Sequence, residues 1–147
     1  MARVIQTYTL GDLTVTFEPR RCIHAAACIR ALPQVFDSTA RPWIRLERAP
    51  VDAVIAAVHA CPTGALRAVL HGAPVEIDAD PVTINASRHG PLVLRGTVRV
   101  IAEDGTELVT DKRVALCRCG NSARMPLCDN SHRAVGFRDP EKRPASA

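Results

Sequence analysis

The residues of this 147-residue sequence best suited to chemistry are its six cysteines and the histidines near them. The segment CRCGNSARMPLCDNSH holds three of those cysteines. Cys117 and Cys119 are one residue apart, so on an extended backbone both thiolates project to the same side and can grip a single iron. Cys128 and His132 are four apart, which places them on one face of a helical turn, where they can grip another. The segment is read as an iron–sulfur ligand set holding a [2Fe–2S] cluster. A Cys3His set also suits zinc, but the C-x-C spacing differs from the C-x2-C of a zinc knuckle. An even cysteine count permits disulfides, yet Cys117 and Cys119 are too close to pair easily with each other. The other cysteines, Cys22, Cys28 and Cys61, lie about 55 residues upstream, the first sign of two metal modules.

The downstream segment resembles the CDGSH (mitoNEET-type) iron–sulfur family, whose pattern is C-x-C-x2-S/T-x3-P-x-C-D-G-S/T/A-H. Cys117, Cys119, Ser122, Pro126, Cys128, Asp129, Ser131 and His132 fall on it. Asn130 stands where the family usually has glycine, and asparagine is the next best residue for a left-handed backbone. Met125 stands where a lysine is common, which puts lysine-dependent tuning of the cluster in doubt. The resemblance implies possible cluster transfer or redox sensing, and relatives that are often homodimers.

Upstream, Cys22-Ile-His-Ala-Ala-Ala-Cys28 and the remote Cys61-Pro62 resemble a single-cluster ferredoxin. Ordinary ferredoxins wrap a cubane with C-x2-C-x2-C and a distant C-P. Counting three from Cys22 lands on Ala25, so the middle cysteine is absent. The stretches RCIHAAACIRALPQVFD, RPWI and ACPTGALR closely resemble the divergent mono-cluster ferredoxin family often joined to a CDGSH module. Three thiolates allow a [3Fe–4S] cluster, or a [4Fe–4S] cluster with His24 or solvent on the fourth iron. His24 serves equally as a loop histidine bonded to backbone. His59, His71 and His89 lie outside any ligand spacing.

His132 carries a mechanistic expectation. Three thiolates leave a less negative site than four, so histidine ligation raises the reduction potential. Protonation of the imidazole loosens its iron bond, so cluster colour should fade faster at pH 6 than at pH 8. Arg118, Arg124 and Arg133 flank the second set and either donate to it, screen its charge or are simply solvated.

The elements that must position these ligands follow from pattern. Strands are expected at Val4 to Leu10 and Leu13 to Phe17 around the Gly11-Asp12 turn, because Leu13, Val15 and Phe17 alternate with polar residues. A short helix is expected from Ala25 to Leu32, a strand from Pro42 to Leu46, and a helix opened by Pro50 with Val51, Val54, Ile55 and Val58 on one face. It leads into Cys61, after which Ala65 to Leu70 returns as a strand. The Gly-, Pro- and Asp-rich residues 72–81 read as a linker. Short strands follow at Val82 to Ala86, Leu92 to Leu94, Val98 to Ile101, Leu108-Val109 and Val114 to Leu116. The expected fold is α+β: a small ferredoxin-like module over residues 1–72, a β-rich CDGSH-type module over 73–138, and a disordered tail over 139–147.

Composition bounds the function. The chain is 47% hydrophobic with five aromatic residues, so its cores are aliphatic and bound metal would add useful stability to units so small. A net charge of +4 without a basic block argues against nucleic acid and favours an acidic redox partner protein. No secretory signal opens the sequence and no run is long enough for a membrane span, so a reducing cytoplasm is expected. No nucleophile–base motif, phosphate loop or nucleotide fingerprint points to an enzyme. The leading expectation is a two-cluster, ferredoxin-like electron carrier, monomeric or homodimeric. Cluster transfer or redox and pH sensing is the alternative, and a zinc-stabilised adaptor the third.

Overall fold

A computed structural model describes residues 4–76 and 78–140. The protein is mostly β, with two antiparallel sheets and few helices, arranged as two modules that touch.

The first sheet has the order β1–β2–β3–β4, built from Gln6–Leu10, Leu13–Phe17, Leu66–Leu70 and Ala73–Val75. Gly11 turns the first hairpin at φ 59°, a left-handed conformation that a Cβ would oppose. The alternation of β2 sends Leu13 and Val15 inward, where Leu66 and Ala68 of β3 meet them. Helix α1 spans Ala27–Ala31 and α2 spans Val51–His59. Pro50 sits at the N-cap of α2, and Val54, Ala57 and Val58 form its buried face. Phe36, Val35 and Ile44 complete this aliphatic core.

The second sheet has the order β5–β6–β7, from Thr83–Ala86, Leu92–Ile101 and Glu107–Leu116. A four-residue helix, α3 (Ser131–Ala134), follows the second ligand loop.

Several elements differ from the sequence expectation. Helix α1 begins at Ala27 because His24 and Ala26 take left-handed φ values of 55° and 57°. Pro42 to Leu46 is not a strand: one Phe36–Ile44 bridge forms, and the chain then tightens into a 3₁₀ turn at Leu46–Arg48. Residues 73–75 of the expected linker pair with β3 and extend the first sheet. The paired short strands of the second module are instead two continuous ten-residue strands. The register shifts between Arg95 and Val98, and Gly96 there has φ 113° with space for no side chain, since a Cβ would lie 2.8 Å from the Ala79 carbonyl. Asp139, placed in the disordered tail by its sequence, is held by Arg118 at 2.7 Å; residues 141–147 of that tail lie outside the described residues, as do residues 1–3. Among the described residues no helix is long and apolar enough to cross a membrane.

Candidate metal centres

Cys22, Cys28 and Cys61 meet at one cavity of about 470 Å³, roofed by Phe17 and Trp43. Cys22 comes from the loop entering α1, Cys28 from the first turn of α1, and Cys61 follows the C-terminal end of α2. The left-handed residues His24 and Ala26 curl that loop so that amides face sulfur. The His24 N–H donates to Cys22 Sγ at 3.4 Å. Thr63 Oγ1 lies 3.6 Å from Cys61 Sγ.

The thiols perturb one another. Burial pushes the Cys28 thiol up to about 11, and the neighbouring Cys61 and Cys22 add to the shift. Burial raises Cys22 too, with Cys61 contributing. At Cys61 burial is outweighed by the N–H groups of Leu66 and Thr63, the Thr63 hydroxyl and the Arg113 charge, so its thiol falls below the ordinary value. Three mutually repelling sulfurs with N–H donors aimed at them fit a cationic iron core. The His24 side chain is exposed; its main chain holds Cys22 and accepts from Arg133.

The second set is local. Cys117 and Cys119 place their sulfurs 3.6 Å apart, and Cys128 Sγ lies 3.6 Å from His132 Nδ1. Among the described residues no three Cys, His, Asp or Glu side chains gather as a single ion requires; these four donors form two pairs. The loop closes by main-chain bonds from Cys117 N to Pro126 O (2.8 Å) and Cys128 N to Ala115 O (2.9 Å). The motif's other residues scaffold it. Ser122 Oγ donates to Leu127 O at 2.6 Å, and the Asp129 carboxylate accepts from the N–H groups of Ala123 (2.9 Å) and Ser131 (3.0 Å). The Ser131 hydroxyl, then the N–H groups of Ala123 and Ser131, hold the Asp129 carboxyl at about 2.

Asn130 adopts φ 78° and its N–H reaches Cys128 Sγ at 3.5 Å, while Asn121 N–H reaches Cys119 Sγ at 3.4 Å. At three of the cysteines, therefore, the amide two residues on donates to the sulfur. Burial at Cys117 is outweighed by the N–H groups of Ser122 and Gly120, lowering its thiol; burial prevails at Cys128 and raises it. Burial, then the Arg133 charge, keep His132 below the ordinary histidine value, which favours the neutral imidazole a metal needs.

The two sets are neighbours. Ile23, the residue after Cys22, is 5% exposed and packs with Ala115 against Cys128. Arg133 donates to His24 O at 2.9 Å and Arg124 donates to Arg20 O. The flanking arginines thus tie loops together, and Arg118 does the same through Gly90 O (2.7 Å) and Ser87 O (2.6 Å).

Sequence reasoning missed the residues that join the modules. Asp111 accepts from Arg21 at 2.8 Å and from Arg67, and Arg113 and Arg95 reach the carbonyls around Cys61. Asp111, Arg113, Ala115 and Cys117 alternate along one face of β7 and its extension, so charged residues at inward strand positions were the available signal. The histidines outside ligand spacing have ordinary partners: His59 Nε2 lies 2.9 Å from Val75 O, His71 pairs with Asp12, and His89 with Asp139.

Residues 8–71 match the divergent 4Fe-4S mono-cluster family, and residues 89–133 match the iron-binding zinc finger of CDGSH type. The chain is also 32% identical over 60 residues to Uncharacterized protein YjdI of Escherichia coli strain K12, and equally to that of Escherichia coli O157:H7. That alignment covers 41% of this chain and 79% of each relative.

Proposed function

From a chain that belongs to the divergent 4Fe-4S mono-cluster family and joins to it a CDGSH-type iron-binding domain, we propose a two-cluster electron carrier, not an enzyme. In this reading Cys117, Cys119, Cys128 and His132 hold a [2Fe–2S] cluster, with His132 bonding through the Nδ1 turned toward Cys128. Cys22, Cys28 and Cys61 hold a [3Fe–4S] cluster, or a [4Fe–4S] cluster whose fourth iron takes His24 or solvent. Bound there, the clusters would supply one-electron redox chemistry. The first module is then a ferredoxin-like α+β unit adapted to three thiolates, working in a reducing cytoplasm and passing electrons to acidic partner proteins, as a monomer or homodimer.

One observation carries the relay. Ile23 follows Cys22 directly and is buried in one cluster with Cys128, so the two ligand sets meet at this residue. Residues on both sides fix that contact: Arg133 donates to His24 O, and Ala25 packs beside Ile23. Anaerobic purification, iron and sulfide counts, and electron paramagnetic resonance in both oxidation states test the reading. Two clusters that survive repeated reduction and reoxidation are expected; a colourless chain without labile sulfide would refute it.

A second reading is supported by the partial exposure of Cys117, Cys119 and His132, with only Cys128 of that set buried. An accessible, histidine-held cluster suits transfer to an apo acceptor or sensing. Loss of the [2Fe–2S] signal with its appearance on the acceptor, faster than free iron and sulfide rebuild it, would favour that role.

A further inference from the structure

Arg113 is a buried cation, 2% exposed, on a strand of the second module, yet its partners belong largely to the first. It donates to the carbonyls of Val58 (2.7 Å), Cys61 (3.2 Å) and Leu66 (2.7 Å), and to the Glu76 carboxylate at 2.7 Å. Arg95, its partner across the β6–β7 ladder, donates to His59 O at 2.6 Å and Ala60 O at 3.1 Å. Together the two guanidiniums engage every carbonyl from Val58 to Cys61. These carbonyls lie at the end of α2 and just past it, at the negative end of the helix dipole, and Val58 O also accepts from Cys61 N–H at 3.1 Å. Leu66 O fixes the far side of the Cys61 loop through the same side chain. Arg113 Nε is buried and has no hydrogen-bond partner among the described residues, so the site keeps one unused donor.

We propose that Arg113, assisted by Arg95, is a positioning residue supplied by the second module to the first module's cluster. It fixes the main chain of Cys61 and places a buried positive charge beside it. The second module thereby governs how firmly the first cluster is held and how readily it is reduced. A cation in a low-dielectric site favours the more negative, reduced state of a nearby centre, and Glu76 opposes it. The inference rests on Cys61 being a cluster ligand.

The test uses the full chain, purified anaerobically, with Arg113→Gln, Arg113→Lys, Arg95→Gln and Glu76→Gln. Arg99→Gln, at an exposed pair with Glu107, is the control. Redox titration followed by electron paramagnetic resonance reads each cluster's potential, and iron loss during gel filtration reads retention. Arg113→Gln should shift the first cluster's potential negative and release that cluster about tenfold faster, the size of the one charged hydrogen bond it makes to the ligand Cys61's own carbonyl. Glu76→Gln should shift the same potential positive, and Arg113→Lys should restore most of it without restoring retention. The second cluster's potential and the control should not move. Shifts of the same sign in Arg113→Gln and Glu76→Gln, or none, would overturn the inference. If Arg113→Gln does not fold, Arg95→Gln and Glu76→Gln must still give opposite signs. A wild-type chain with no first cluster defeats the ligand assignment instead, and so separates the two failures.

Discussion

The two ligand sets gather their donors over different ranges of chain. Cys117 to His132 is self-contained: a main-chain ring, a serine hydroxyl and one aspartate fix four donors within a single loop and the short helix after it. Cys22, Cys28 and Cys61 meet only because a loop, the end of α2 and the first sheet converge on one cavity. Both sites have two part-exposed cysteines and one buried, but the second is local, whereas the first is assembled by tertiary structure and leans on arginines of its neighbour. Damage to packing should therefore reach the first site before the second.

Single-ligand changes give the largest expected effect. Cys61→Ser should remove the first cluster altogether while leaving the second, measured by iron counts and resonance spectra. Cys128→Ser should do the reverse but also disturb Ile23, which packs on it. Equal loss of both clusters in Cys61→Ser would show that the sites are not separable and would break the comparison.

Asp111→Asn probes the joint itself. The carboxylate is 9% exposed and accepts from Arg21, next to Cys22, and from Arg67. Losing its charge should cost about 2 kcal/mol, read as a lower unfolding midpoint, with first-cluster iron lost preferentially. Burial works against the charged form, but the bonds from Arg67 and Arg21 outweigh it and hold the carboxyl below the ordinary 3.8. A depressed carboxyl contributes stability that is complete above its unfolded value and lost only as pH falls through the lower folded one. The joint should thus stay closed throughout mild acid.

The spacing of the second ligand set, the first hairpin and α2 were legible because local rules govern them: period two in Leu13–Phe17, and an i, i+3, i+4, i+7 stripe in α2. The joint was not. Arg113 and Asp111 on a strand look solvated until a second module covers them, and nothing in the spacing of Arg124 or Arg133 says that each donates to a carbonyl of the first ligand loop. The long strands were split in expectation because polar residues at Arg95 to Thr97 and Thr110 to Arg113 interrupt the apolar pattern. One of those interruptions is the bulge at Gly96, and the other is the joint itself.

A smaller effect isolates His132. Because burial and Arg133 keep its imidazole below the ordinary 6.5, the neutral form persists through neutral pH and protonation sets in below that value. Loss of the second cluster should quicken several-fold between pH 8 and pH 6, steepening toward the acid end, with the first cluster unaffected over that interval. His132→Cys should flatten the profile. Since the Asp111 joint does not titrate there, an unchanged profile in His132→Cys would leave the acid sensitivity without a source in this site.

The smallest expected effect concerns Asn130, and it asks whether the local site is as self-contained as it looks. At φ 78° this residue occupies a conformation that costs most L-residues about 1 kcal/mol, and its Oδ1 is buried without a hydrogen-bond partner among the described residues. Glycine removes both costs but adds freedom to the unfolded chain, worth about 0.4–1 kcal/mol in the other direction. The balance favours Asn130→Gly by about 0.5 kcal/mol, with slightly slower loss of the second cluster. Asn130→Ala keeps the backbone cost while deleting the side-chain oxygen, so it separates the two terms. If the turn that aims the Asn130 N–H at Cys128 is what matters, retention should fall in the order Gly, Asn, Ala. If alanine exceeds asparagine, the buried oxygen is the dominant cost; if it also equals glycine, the left-handed turn is held by its surroundings, among them the Asp129 carboxylate that accepts from the Ala123 and Ser131 N–H groups.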